Sequence, residues 1–151
     1  MMELDKLKEA REGIAPPAAA GENFDAKAVE DLKFLCTKAG FGLLNNTNYL
    51  ALHDQGKKVC DFIVRAYVGD GKEVKFQSQL ADFSDPKMHL AVVRYEDGAA
   101  RDVYLFNIKN FEKPGFMSMF SHDKKAGTCG VKMGNKTKLE QYSFGNVVKN
   151  I

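Results

Sequence analysis

The hydrophobic positions of this chain change period once, near Gly40. Before it, Val29, Leu32, Leu35, Cys36 and Ala39 recur every three or four residues within FDAKAVEDLKFLCTKAG. That stripe predicts an amphipathic helix over 24–40, capped by Asn23 or Asp25 and stopped by Gly40. After Gly40 the apolar residues alternate with polar ones or form short runs bounded by turn residues, which is the pattern of strands. LLNNTNYLALHDQG, KKVCDFIVRAYVGDG, KEVKFQSQLADF, KMHLAVVRYEDG and ARDVYLFNIKNF all read this way. GDGK at 69–72 and YEDGAARD at 95–102 predict hairpin turns, and HLAVVRY and DVYLFNI are apolar enough for the inside of a sheet. Within VKFQSQLA, a strand would turn Val74, Phe76, Ser78 and Leu80 one way and Lys75, Gln77 and Gln79 the other.

Both ends of the chain lose this regularity. Residues 2–12 suit a short charged helix, which GIAPPAAAGEN breaks because prolines cannot continue a helix. Residues 1–22 are therefore expected to form a flexible N-terminal arm, and 23–151 a single domain. From 113 onward the sequence predicts a basic, loop-rich segment. In it FMSMF packs back on the core, and LEQYSFGNVVKNI forms a short helix interrupted at Gly145 or a last strand. The expected class is α+β: an N-terminal helix packed on a mostly antiparallel or mixed sheet of four to five strands.

A length of 151 residues suits one domain with one core. No apolar run approaches the roughly 18 residues of a membrane span. MMELDKLKEAREG lacks the apolar segment of a secretory signal, so a cytoplasmic location with no membrane partner is expected. Cys36, Cys60 and Cys129 form no CxxC pair and are expected to be structural thiols; Cys129, in AGTCGV, is the one expected to be exposed. His53, His89 and His122 lack zinc-ligand spacing. Without GxxxxGK[ST], GxGxxG or GxSxG, P-loop, dinucleotide and α/β-hydrolase chemistry have no support.

Charge adds an asymmetry. Between Lys113 and Ile151 seven lysines face only Asp123 and Glu140, a net +5, whereas the first 112 residues carry −3. A basic tail on a mildly acidic body predicts an anionic partner, nucleic acid first. Lys124, Lys125, Lys132, Lys136 and Lys138 are the expected phosphate contacts. Phe116, Phe120, Tyr142 and Phe144 are candidates for base stacking or for the core.

Glu30 on the helix, Asp61 in VCDFIV and the strand VKFQSQLA after a hairpin suggest one chemistry. Metal-dependent phosphodiester hydrolysis uses carboxylates on Mg²⁺ with a nearby lysine. With this order of elements, residues 24–111 resemble the PD-(D/E)XK nuclease superfamily, in its small intron-encoded branch. The resemblance implies a restriction-endonuclease-like core. Glu30 and Asp61 would be metal ligands, and Gln77 the first residue of a Gln-x-Lys motif. Gln79 stands where that family places its lysine, which implies an eroded centre. Glu73-Val74-Lys75 is a literal Glu-x-Lys one register earlier, and Lys75 could stand in for the missing cation.

Three functions remain open on the sequence. The first is a nucleic-acid-associated protein with an inactive nuclease-like fold. The second is a non-enzymatic interaction module or inhibitor that self-associates through sheet edges and strands such as LAVVRY. The third is an active Mg²⁺-dependent nuclease.

Overall fold

The computed structural model describes residues 17–45, 49–68, 73–134 and 136–149. The expected 2–12 helix, most of the N-terminal arm and the GDGK turn lie outside the described residues. A long helix, α1 (Pro17–Lys38), starts the fold. It reaches back to Pro17, seven residues ahead of the 24–40 helix that the stripe predicts, so 17–22 is helical where an arm was expected. Asp25 is therefore not a cap. Its Oδ1 instead accepts the backbone N–H of Ala66 at 2.7 Å. The helix ends as expected at Gly40, whose φ of 90° favours glycine.

Among the described residues eight strands follow: β1 (Gly42–Asn45), β2 (Leu50–Asp54), β3 (Lys57–Val68), β4 (Glu73–Gln77), β5 (His89–Glu96), β6 (Ala99–Asn107), β7 (Phe120–Asp123) and β8 (Thr128–Lys132). Five form a mixed sheet in the order β1-β2-β3-β5-β6, and three form an antiparallel sheet in the order β4-β8-β7. In the large sheet only β3 and β5 run parallel. The β5–β6 hairpin turns through Asp97 and Gly98, both at positive φ, as YEDG predicted.

Each face of the large sheet is covered, giving three layers. Ala28, Leu32 and Cys36 of α1 pack on Cys60, Phe62, Val64, Ala91, Val93 and Tyr95. On the opposite face Ile63, Leu90, Val92 and Phe106 meet Val74, Phe76, Phe120, Cys129 and Val131 of the small sheet. Double coverage explains the unbroken buried runs at 60–64 and 88–93, because a strand wet on neither face need not alternate.

The C-terminal segment departs most from its expected loops. It supplies β7 and β8, then short helical turns at Lys136–Leu139, Glu140–Tyr142 and Phe144–Val148. Gly145 does not interrupt the last of these. Ser143 forms a lone antiparallel bridge to Tyr104, so the chain crosses the β6 edge there. Tyr142 packs on one side of the large sheet and Phe144 on the other. Among the described residues no helix is long and apolar enough to cross a membrane.

Candidate functional site

Alternation along β4 fixes the outer face of the small sheet. Val74 and Phe76 enter the core, so Glu73, Lys75 and Gln77 point outward. On β8, Cys129 and Val131 go in, and Thr128, Gly130 and Lys132 go out. A Cβ on Gly130 would lie 2.5 Å from Glu73 Oε2 and 3.0 Å from Ser121 Oγ. The Glu73 carboxylate therefore lies across the strand over this glycine. There it accepts the Ser121 hydroxyl at 3.0 Å and sits 3.8 Å from Lys75 Nζ. Glu73 and Lys75, the Glu-x-Lys pair of the sequence, form a surface cluster.

At one end of this face the loop 113–119 leads into β7. Its tip is a tight turn in which Ser118 N–H donates to the Gly115 carbonyl and Met117 has a φ of 64°. Phe116 at the tip is 97% exposed, and Met117 is also solvent-exposed. Neither packs on the core as FMSMF suggested, although Met119 and Phe120 do. The base of the loop is pinned where Lys132 N–H donates to the Met119 carbonyl at 2.8 Å, which brings Lys132 beside it. At the far end, Asp123 Oδ1 accepts the N–H groups of Lys125 and Ala126 and shapes the turn that carries Lys124 and Lys125. Lys113, Lys124, Lys125 and Lys132 are exposed and make no ion pair among the described residues. Lys138 is exposed on the C-terminal segment, which Lys136 begins. Of the four aromatic candidates for stacking, Phe120 and Phe144 are buried and Tyr142 is half-buried against Phe106. Phe116 alone is open.

The residues named for a metal centre do not converge. β4 pairs with β8, not with β3, so the expected hairpin linking Asp61 to Gln77 does not form. Gln79 lies in a short 3₁₀ turn, Ser78–Leu80, and reaches Gln77 only through an amide–amide hydrogen bond of 3.0 Å on the surface. Glu30 is exposed on α1, which packs against Cys60 and Phe62. Asp61, between those two residues, projects from the opposite face. Asp61 is 8% exposed; its Oδ2 meets Lys58 Nζ at 2.8 Å, and Oδ1 is buried without a hydrogen-bond partner. An ammonium on one oxygen, with the other named carboxylates on different surfaces, does not fit Mg²⁺. Among the described residues no cluster of three His, Cys, Asp or Glu side chains could hold a metal.

The cysteines are all free and buried, including Cys129, which two flanking glycines had marked as exposed. The TCGV of AGTCGV lies in strand β8, and alternation carries Cys129 inward. Burial pushes the thiols of Cys36 and Cys60 up to about 12 and that of Cys129 to about 11, which removes them as nucleophiles at neutral pH. The strand LAVVRY is no self-association edge, because β5 is paired on both sides.

A second polar feature lies at the other end of the large sheet. A groove of about 510 Å³ opens between the start of β5, the end of β6 and the C-terminal segment, with Lys87, His89, Asn110 and Gln141 among its lining. These residues come from three separate stretches of chain, so no local motif could have announced them. No family model matches the chain, and neither the curated proteins nor the solved structures compared with it give a match.

Proposed function

We propose that this chain is a nucleic-acid-associated protein that holds a single strand against the small sheet without a metal-dependent catalytic centre. The observation that supports this reading is Phe116. Its ring stands 97% exposed at the tip of a hydrogen-bonded turn, with Lys113 three residues before it and Lys132 at the loop base. An aromatic ring held in water beside unpaired cations offers a stacking platform next to phosphate contacts. Lys124 and Lys125 extend the same charge to the far end of β7. Fluorescence anisotropy with labelled single-stranded DNA and RNA tests the reading. Affinity should fall as salt rises, with a log–log slope of about −0.7 per phosphate contacted. Phe116→Ala should lose about 1–3 kcal/mol of binding. Salt-independent binding, or affinity indifferent to that substitution, rejects it.

A second reading rests on β1. Among the described residues this four-residue strand ends the large sheet without a further partner, and it carries the exposed Leu44, so self-association by edge pairing is the non-enzymatic alternative. Sedimentation of the wild type and of Leu44→Lys separates the two, because only the second reading requires a dimer that the substitution dissolves.

A further inference from the structure

The groove at the end of the large sheet is lined by a largely buried histidine whose outer nitrogen has no protein donor among the described residues. His89, the first residue of β5, is only 5% exposed and packs edge-on against Phe62. Its Nδ1 lies 2.7 Å from the Lys87 carbonyl. A carbonyl only accepts, so Nδ1 carries the proton and Nε2 is left with a lone pair. Burial lowers the pKa of this ring, so the neutral form is the one present. Nε2 has no partner among the described residues, although the ring lines the groove. A ligand in the groove can therefore donate a hydrogen bond there.

The remaining lining narrows the chemistry. Among the described residues, Lys87 is exposed at the rim with no carboxylate partner and no Asp or Glu lines the groove. The electrostatics favour an anionic group near Lys87. The Asn110 amide makes no hydrogen bond among the described residues, and Gln141 uses its Nε2 on the Lys138 carbonyl at 3.3 Å, leaving Oε1 available. A primary amide presents a donor and an acceptor side by side, the complement of a nucleobase edge. Leu105 and Val147 supply an apolar floor, and the volume falls in the range of small-molecule sites.

We infer that this groove binds a nucleoside monophosphate. The phosphate meets Lys87, a base or ribose donor meets His89 Nε2, and the base edge meets Asn110 and Gln141. The groove shares no residue with the Phe116 face, and the inference does not depend on it. A protein that fails to bind single strands could still bind mononucleotides, and the reverse.

Calorimetry and ¹⁵N-histidine NMR on the full chain test the inference, with nucleoside monophosphates, the matching nucleosides, ribose 5-phosphate and inorganic phosphate as probes. A nucleoside monophosphate should bind more tightly than any of its fragments and shift the His89 Nε2 resonance. Lys87→Ala, at an exposed position that leaves folding intact, should weaken the nucleotide about tenfold, as loss of a charge-assisted hydrogen bond does. The same substitution should leave nucleoside binding unchanged. Asn110→Ala should weaken nucleotide and nucleoside alike. No binding at millimolar concentrations overturns the inference. So does inorganic phosphate binding as tightly as the nucleotide, or nucleotide affinity unaltered in both variants.

Discussion

Asp61→Val removes a carboxylate from the middle of β3, where Oδ1 is sealed from solvent without a donor and Oδ2 touches Lys58. Three contributions set the sign. Taking away a buried acceptor that lacks a partner recovers about 1–3 kcal/mol. Losing the ion pair costs at most about 1 kcal/mol, because the Lys58 side chain is 50% exposed and returns to water. Valine is β-branched and suits a strand that is buried on both faces. The net expectation is a gain of about 1–2 kcal/mol, or about 2–4 °C in Tm per kcal/mol for a chain of this size. Urea unfolding followed by circular dichroism, with the m-value checked for constancy, measures it. A loss of about 1 kcal/mol or more at unchanged m would refute the reasoning, because it would mean that Oδ1 has a partner worth keeping. If Mg²⁺ stabilised the wild type but not the variant, that partner would be a cation.

Other expectations follow from single contacts. Tyr95 donates its hydroxyl to Asp31 Oδ2 at 2.5 Å across the helix–sheet interface, and burial raises its pKa. Tyr95→Phe should cost about 1.5–3 kcal/mol in chemical unfolding, as a hydrogen bond to a charged group does. Gly98 has a φ of 79° and open space where a Cβ would go, so Gly98→Ala should cost about 1–2 kcal/mol from backbone strain alone. His89 resists protonation in the fold but titrates near 6.5 when unfolded. Its contribution is thus intact above that pH and is lost as the pH falls through the depressed folded value. Unfolding free energies measured on either side of about pH 6.5 should show this fall, and His89→Gln should flatten it.

Local chemistry was legible in the sequence, and partnership was not. The stripe Leu32–Cys36, the Gly40 stop and the Asp97-Gly98 turn each depend on residues within a few positions, and each is observed. VKFQ shows which of its residues are wet, but alternation is the same for any partner strand, so the pairing of β4 with β8 leaves no trace in it. Gln79 escaped because alternation was extended into a 3₁₀ turn. β7 and β8 are four and five residues long, too short for a period to register, and the turn between them carries Lys124, Lys125 and Gly127. Residues 18–22 follow two prolines and so suggest an arm, although Ala18, Ala19 and Ala20 are strong helix formers. The placement of Glu30 and Asp61 on opposite faces depends on which side of the sheet α1 covers, and no single segment encodes that.

The pairing of β4 has a temporal consequence. This strand leaves the large sheet on the way from β3 to β5, yet it bonds to β8, which lies about fifty to sixty residues further along. A ribosome delivers about 5–20 residues each second, so Val74 and Phe76 must wait several seconds for their cover. The large sheet can zip up meanwhile, apart from one naked face. Nascent chains stalled before β8 should therefore recruit chaperones, and release from them should coincide with emergence of the last forty residues or so.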